Sequence, residues 1–418
     1  MIINLAIAML FLSIFCSLAL NQQTIGFLLA FLASHYIEHS SIFLLCLGFA
    51  IFIQFANIFF LRKKNMLFWL VIILVSGYIF TVFAIKPYKV NILHFIACFE
   101  MLLLFAWAML IKWDAKEILK FAMAVTAYLL LFGFTEWLLI RPLRIEGPLT
   151  AATAYAIVLV LAWTIWFIEN CVSNRFSWAI ILAGTSLVLI AVLLSGTRMA
   201  IIGMGLGVLF GAVANIWVKG LDKKYFLQRV FSGLPKLCFI LAIIFCVWAL
   251  LPEELLIKRG LNSFISGKLD SSSMGRIAVW IVALNIISEH TMWGIGPGNF
   301  LETYKLSSQH SPVLADFLHN GLIHAHNIYL VVLSEYGLIG FLILSSIVLV
   351  CFAQLFIFLK KNPGNGIGYA LLGSGAVMML LGIVDAIPMY LPTMGWGAWY
   401  MGVLASFSLT RENKVLQI

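Results

Sequence analysis

A chain of 418 residues that is 63% hydrophobic and only 10% charged, with mean hydropathy +1.07, cannot fold as a water-soluble domain; soluble chains carry roughly a quarter charged residues. Its apolar runs are about 20 residues long, the length of a helical span, where a barrel would show short alternating segments. The fold class read here is therefore all-α, a polytopic integral membrane protein. The net charge of +9 is the Lys and Arg excess that cytoplasmic loops carry, and no basic patch interleaved with aromatics points to nucleic acid.

In chain order, residues 2–20 read as a retained first span, because no basic n-region or cleavage site marks a signal peptide. Residues 25–37 are apolar but run into His35, Glu38 and His39, which makes a poor crossing; residues 41–61 make a good one. Arg62, Lys63 and Lys64 then mark the inner side. Further spans are expected at 66–85, 91–111, 121–140, 149–168, 177–194 and 199–218. The basic segment 219–229 (KGLDKKYFLQR) anchors the orientation as inside, and 236–251 returns outward. After a long polar segment, spans follow at 338–359, 367–384 and 390–409, with Lys360 and Lys361 inside.

The count is about twelve, divided into N-terminal transmembrane helices (1–251), a periplasmic loop with short helices (252–323) and C-terminal transmembrane helices (324–418). Arg141 and Arg144 fall outside against the charge rule, where an arginine could meet an anionic substrate or headgroup. Six of the seven cysteines lie in apolar runs and Cys171 in a short turn. No spacing suggests a metal or a disulfide framework.

This map puts four polar landmarks on the outer edge. Ser195-Gly196-Thr197-Arg198 breaks two apolar runs: the small residues leave backbone N–H groups at a helix start, and Arg198 offers a planar fork to phosphate oxygens. The plainer reading is an arginine that only marks the membrane edge. Ser271-Ser272-Ser273-Met274-Gly275-Arg276 reads as a serine-capped start of a helix near the membrane surface, with Arg276 in its first turn. Trp293-Gly294-Ile295-Gly296-Pro297-Gly298-Asn299-Phe300 has no preceding strand and a proline inside, so it is no dinucleotide fingerprint. A turn that lets backbone approach a ligand or another helix fits it better.

The fourth landmark is His324-Ala325-His326-Asn327. Side chains at i and i+2 do not share a helix face, so at least one histidine is expected to face water or substrate, with Asn327 as a helix N-cap. Histidine is suited to take a hydroxyl proton at neutral pH; the alternative is a residue that only packs at the membrane edge. No HExxH or paired-cysteine pattern supports a metal, and no DxD pair holds one against a sugar diphosphate. Neither a metal nor another cofactor is expected.

Taken together, SGTR, SMGR, WGIGPGNF and HAHNIYLVVLSEYGLIG, in this order between Ser195 and Gly340, resemble the O-antigen ligase and polymerase family. The resemblance implies an all-helical, GT-C-like inner-membrane glycosyltransferase, metal-independent and inverting, acting at the periplasmic face. The donor would be a glycan on undecaprenyl diphosphate, and the acceptor a lipid A–core sugar or another glycan, both carried by membrane lipid. It implies catalytic roles for Arg198, Arg276 and His326. His324, Asn327, Thr197 and Asp385 are the accompanying substrate-binding candidates. Ligase chemistry is the first expectation and polymerase chemistry its nearest rival. A lipid-linked oligosaccharide flippase is the rival from another class, and would use Glu100 or Glu136 within spans.

Overall fold

The computed structural model describes residues 25–28, 101–102, 104–109, 111, 113–140, 142, 144–146, 151–219, 271–309, 324–386 and 391–409. The spans expected at 2–20, 41–61, 66–85 and 236–251, most of the 25–37 stretch and Glu100 lie outside the described residues. Within them all regular structure is helical, and five helices are long and apolar enough to cross a membrane. In chain order the helices are α1 (Ala115–Ile140), α2 (Ala152–Ser173), α3 (Trp178–Ser195), α4 (Arg198–Lys219), α5 (Ser271–Glu289), α6 (Phe300–Ser308), α7 (Ile328–Lys361), α8 (Gly366–Leu381) and α9 (Leu391–Leu409).

The expected spans at 121–140, 149–168, 177–194 and 199–218 coincide with α1 to α4 within a few residues. α1 begins earlier because Asp114 caps it: its Oδ1 accepts the Glu117 N–H at 2.7 Å, adding a polar first turn ahead of the apolar run. The largest difference is α7. Its helical path starts at Ile328, ten residues before the apolar run that hydropathy picks out.

The chain divides into two compact units that interleave in sequence: one holds 1–113, 269–355 and 382–418, the other 114–268 and 356–381. The second is organised around α2, which is almost wholly buried, Tyr155, Trp163 and Ile165 having no exposure at all. Both of its indoles and one of its carbonyls find partners within the bundle. Trp163 Nε1 donates to Thr185 Oγ1 of α3 at 3.1 Å, Trp166 Nε1 donates to Thr126 Oγ1 of α1 at 3.2 Å, and Ser374 of α8 donates to the Leu161 carbonyl at 3.1 Å. Such bonds between helices matter where no water competes for the donors.

α4 approaches α2 along glycines spaced every fourth residue. A Cβ on Gly203, Gly207 or Gly211 would press on Val160, on Trp163 and Thr164, or on Phe167 and Cys171, whereas Gly205, on the other face, meets nothing. This is small-residue packing of membrane helices: without a hydrophobic driving force in lipid, close van der Waals approach holds the pair. The two ends of the unit are distinct. Ala152, Ser195 and Thr197 share one, since Thr197 Oγ1 donates to the Ala152 carbonyl at 3.3 Å. At the other, buried Glu169 pairs with Arg175 at 3.3 Å, and its second oxygen fills the space that a side chain on Gly366 would need.

The first unit contains α5, α6, α9 and most of α7. Val279, Val282, Ala283 and Ile286 of α5 form one face, buried against Ile295, Phe300, Tyr304, Ala325, Val331 and Ala386. That core joins the loop helices to the turns that carry His324, His326 and Asp385.

Candidate active site

α7 is a broken helix. After Ile328–Val331 it widens into a π-turn over Val332–Tyr336, then meets Gly337 at φ 68° and ψ −173°, a conformation open essentially to glycine alone. The break is repaired by the glycine-rich loop. The Ile295 and Gly296 N–H groups donate to the Ser334 and Glu335 carbonyls, both at 2.9 Å. In return the Leu338 and Ile339 N–H groups donate to the Thr291 and Met292 carbonyls at 2.8 and 3.3 Å.

A break within so apolar a helix leaves backbone groups that need partners of this kind. Gly294 (φ 66°) and Gly337 meet backbone to backbone, and a Cβ on either would collide with the other segment's main chain. The buried Glu335 carboxylate completes the joint: it accepts the Gly298 N–H at 3.0 Å and also the Phe300 N–H, at the start of α6. The glycine-rich turn thus serves close approach to another helix, one of the two uses its sequence suggested.

Just before the break stands the histidine turn. Asn327 caps α7 as expected, its Oδ1 accepting the Tyr329 and Leu330 N–H groups at 2.9 and 3.1 Å. His326 lies outside the helix in the left-handed region, φ 45°, which costs a non-glycine residue on the order of 1–3 kcal/mol. The His324 and His326 rings are tilted neighbours with centroids 4.2 Å apart, so the two do not point to opposite sides as a helix would require.

Asp385, in the turn after α8, brings its Oδ1 to 3.6 Å from His326 Nδ1 and accepts the Ala386 N–H at 2.8 Å. The Ile328 N–H donates to the Gly382 carbonyl at 2.8 Å and so ties the two turns together. His326 Nδ1 is buried and makes no shorter bond, while the side chain as a whole keeps 22% exposure. The imidazole is therefore backed by a carboxylate on its Nδ1 side and still reaches solvent.

The electrostatics of the turn are one-sided. Burial, then His326 and Arg276, push His324 down to about 3, with only Asp385 opposing, so it is neutral at any physiological pH. For Asp385 burial alone would raise the pKa; the facing His326 imidazole, His324 and the Ala386 N–H outweigh it and hold the carboxyl below its ordinary range. Half-buried Arg276, in the second turn of α5, lies within electrostatic reach of His324, and among the described residues it forms no ion pair.

His324, His326 and Asp385 each place one donor atom within 4.8 Å of the others, a cluster of metal-ligand type. The donor set fits an ion poorly. His324 Nδ1 already accepts the His326 N–H at 3.1 Å, which puts its proton on Nε2 and leaves neither nitrogen with an open lone pair.

One unit thus gathers His324, His326, Asn327, Asp385 and Arg276. Arg198 and Thr197 belong to the other. There Thr197 is buried with its hydroxyl on the Ala152 carbonyl, its N–H donates to Ser195 Oγ, and Arg198 opens α4. Arg144, one of the two outer arginines that could meet an anion, donates from Nε to the Ser195 carbonyl at 2.8 Å and braces the C-terminal end of α3. Glu136 lies in the last turn of α1, where its carboxylate accepts the Glu146 N–H. Residue types and spacing did not reveal Glu335 as the clamp on the loop; its position two residues before Gly337 was the available signal.

Residues 183–345 match the family described as O-antigen ligase. Over that stretch the chain is similar to the O-antigen ligase family. The matched stretch contains Arg198, Arg276, His324, His326 and Glu335, while Asp385 lies beyond it and joins the site only through the fold. Proteins of the O-antigen ligase family are glycosyltransferase-like enzymes of lipopolysaccharide biosynthesis, and the five apolar spans accord with a multi-pass bacterial inner-membrane protein of that kind. No curated protein matches the chain.

Proposed function

We propose that this O-antigen ligase family protein transfers a glycan from undecaprenyl diphosphate to a sugar hydroxyl of lipid A–core, at the periplasmic face and without a metal. The observation that carries the reading is His326, held in a strained turn with a carboxylate behind Nδ1 and its ring reaching solvent. Backed in this way, the imidazole keeps its proton on Nδ1 and presents Nε2 as an acceptor.

In the reaction Nε2 takes the proton of the acceptor hydroxyl while that oxygen bonds to the anomeric carbon of the donor. The bond from that carbon to the diphosphate breaks, and the electron pair leaves with the phosphate. Attack from the opposite face inverts the anomeric configuration. Arg276 stabilises the charge growing on the diphosphate. Arg198 takes the same role by family resemblance alone, and Asn327 and Thr197 act by shaping the turns beside these residues.

Transfer by purified protein tests this reading, with lipid-linked glycan and either lipid A–core or a second lipid-linked repeat unit as acceptor. Product on lipid A–core identifies a ligase; lengthened lipid-linked chains identify a polymerase; no product with either acceptor favours a carrier. His326→Ala is expected to lower transfer by about a hundred- to ten-thousand-fold, the usual contribution of a general base, with the protein still in the membrane. Near-normal transfer by that variant removes His326 from the mechanism.

A further inference from the structure

We propose that His324 is a positioning residue for the transfer reaction, its Nδ1 holding the His326 backbone N–H and with it the left-handed turn that presents the His326 ring. The inference rests on the reading of His326 as the base and assigns His324 a task that neither substrate binding nor metal ligation would require.

The turn has the connectivity of an Asx-turn, in which a δ-position acceptor on one side chain receives the N–H two residues on. Here the acceptor is an imidazole nitrogen, at 3.1 Å. The bond is made to the one residue of the turn with positive φ, at 45°. On the C-terminal side Asn327 fixes the next two free N–H groups and starts α7. His326 is thus fastened at both ends, by an imidazole before it and a helix cap after it.

The surroundings require that this imidazole be neutral. The His326 ring is 4.2 Å away centroid to centroid, and Arg276 is within electrostatic reach, so a proton on His324 would face the Arg276 guanidinium and the imidazole that must take up the hydroxyl proton, against the single carboxylate of Asp385. Protonation at Nδ1 would also abolish the acceptor. The bond that shapes the turn therefore keeps a second positive charge away from the base. The side-chain property required at position 324 is an uncharged acceptor at the δ1 position.

Asparagine has that property; glutamine carries its acceptor one atom further out, and alanine has none. The experiment measures kcat and KM for His324→Asn, His324→Gln and His324→Ala, with His326→Ala alongside, on protein that elutes as a single species in detergent. His324→Asn is expected to keep kcat within a factor of a few of the parent. His324→Ala and His324→Gln are expected to lose about a hundredfold in kcat at unchanged KM, the scale of a misplaced catalytic group.

His324→Asn as inactive as His324→Ala, His324→Ala as active as the parent, or a loss confined to KM each overturns the proposal. Nitrogen-labelled histidine NMR of the parent gives a readout independent of activity: His324 protonated at Nε2 supports the assignment, and protonation at Nδ1 sinks it. If His326→Ala keeps transfer, the functional reading fails first; an inactive His326→Ala with an inactive His324→Asn defeats this inference alone.

Discussion

A neutral histidine and a carboxylate with a depressed pKa make the site sensitive to acid in a defined window. His324 has its pKa lowered from 6.5 to about 3 by burial, His326 and Arg276. The unfolded chain therefore takes up a proton as pH falls below 6.5 while the native turn does not. Stability conferred by the turn is complete above that pH and falls by up to about 1.4 kcal/mol per unit towards pH 3. Asp385, whose pKa is lowered, adds a loss in the same direction once pH drops below its ordinary value of 3.8. Thermal unfolding of the detergent-solubilised protein is expected to show this acid slope. His324→Asn is expected to remove the part between 6.5 and 3.8, because asparagine does not titrate.

At the level of elements, two backbone contacts decide the geometry, and both depend on glycine. Gly337 occupies a region of φ and ψ that other residues reach only at about 1–3 kcal/mol, and its partner segment leaves no room for a methyl group. Gly337→Ala is expected to weaken the joint between the glycine-rich loop and α7. Hydrogen exchange at the Ile295 and Gly296 amides, which donate across that joint, would rise before any global unfolding.

In the other unit Gly207 faces Trp163 and Thr164 at contact distance. Gly207→Val overpacks the α2–α4 seam and is expected to cost about 1–3 kcal/mol, read as a lower melting temperature. The same change at Gly205, which meets nothing, should leave melting unchanged. The glycine spacing in α4 is of the kind that lets membrane helices pack closely, and residues 199–218 were read from hydropathy only as a span. The π-turn was not visible, since Val332–Tyr336 has the composition of an ordinary helix. Hydropathy placed the start of that span at 338 because the polar and tyrosine-bearing residues from Ile328 onward interrupt the apolar run, and the hydrogen bonds that sustain them come from a segment some forty residues upstream.

For the molecule as a whole, transfer is expected to persist in excess chelator at the parent rate. The closest approach to a metal-ligand set, His324, His326 and Asp385, has one histidine engaged at Nδ1 and protonated at Nε2. A steep loss on chelation, restored by a divalent cation, would contradict that arrangement of protons.

The sequence by itself determined the class, because its hydropathy and charge leave lipid as the only solvent it can fold in, and α1 to α4 because each is an uninterrupted apolar run with a polar or small-residue stop. It also determined the Asn327 cap, an interaction that closes within three residues. Only the tertiary structure decided that Asp385 stands behind His326, that Glu335 closes the loop onto α7, and that Arg144 braces α3. Each of these joins residues tens of positions apart through a single hydrogen bond or charge contact. Local propensity and residue spacing carry no information about such pairs until the helices between them have packed.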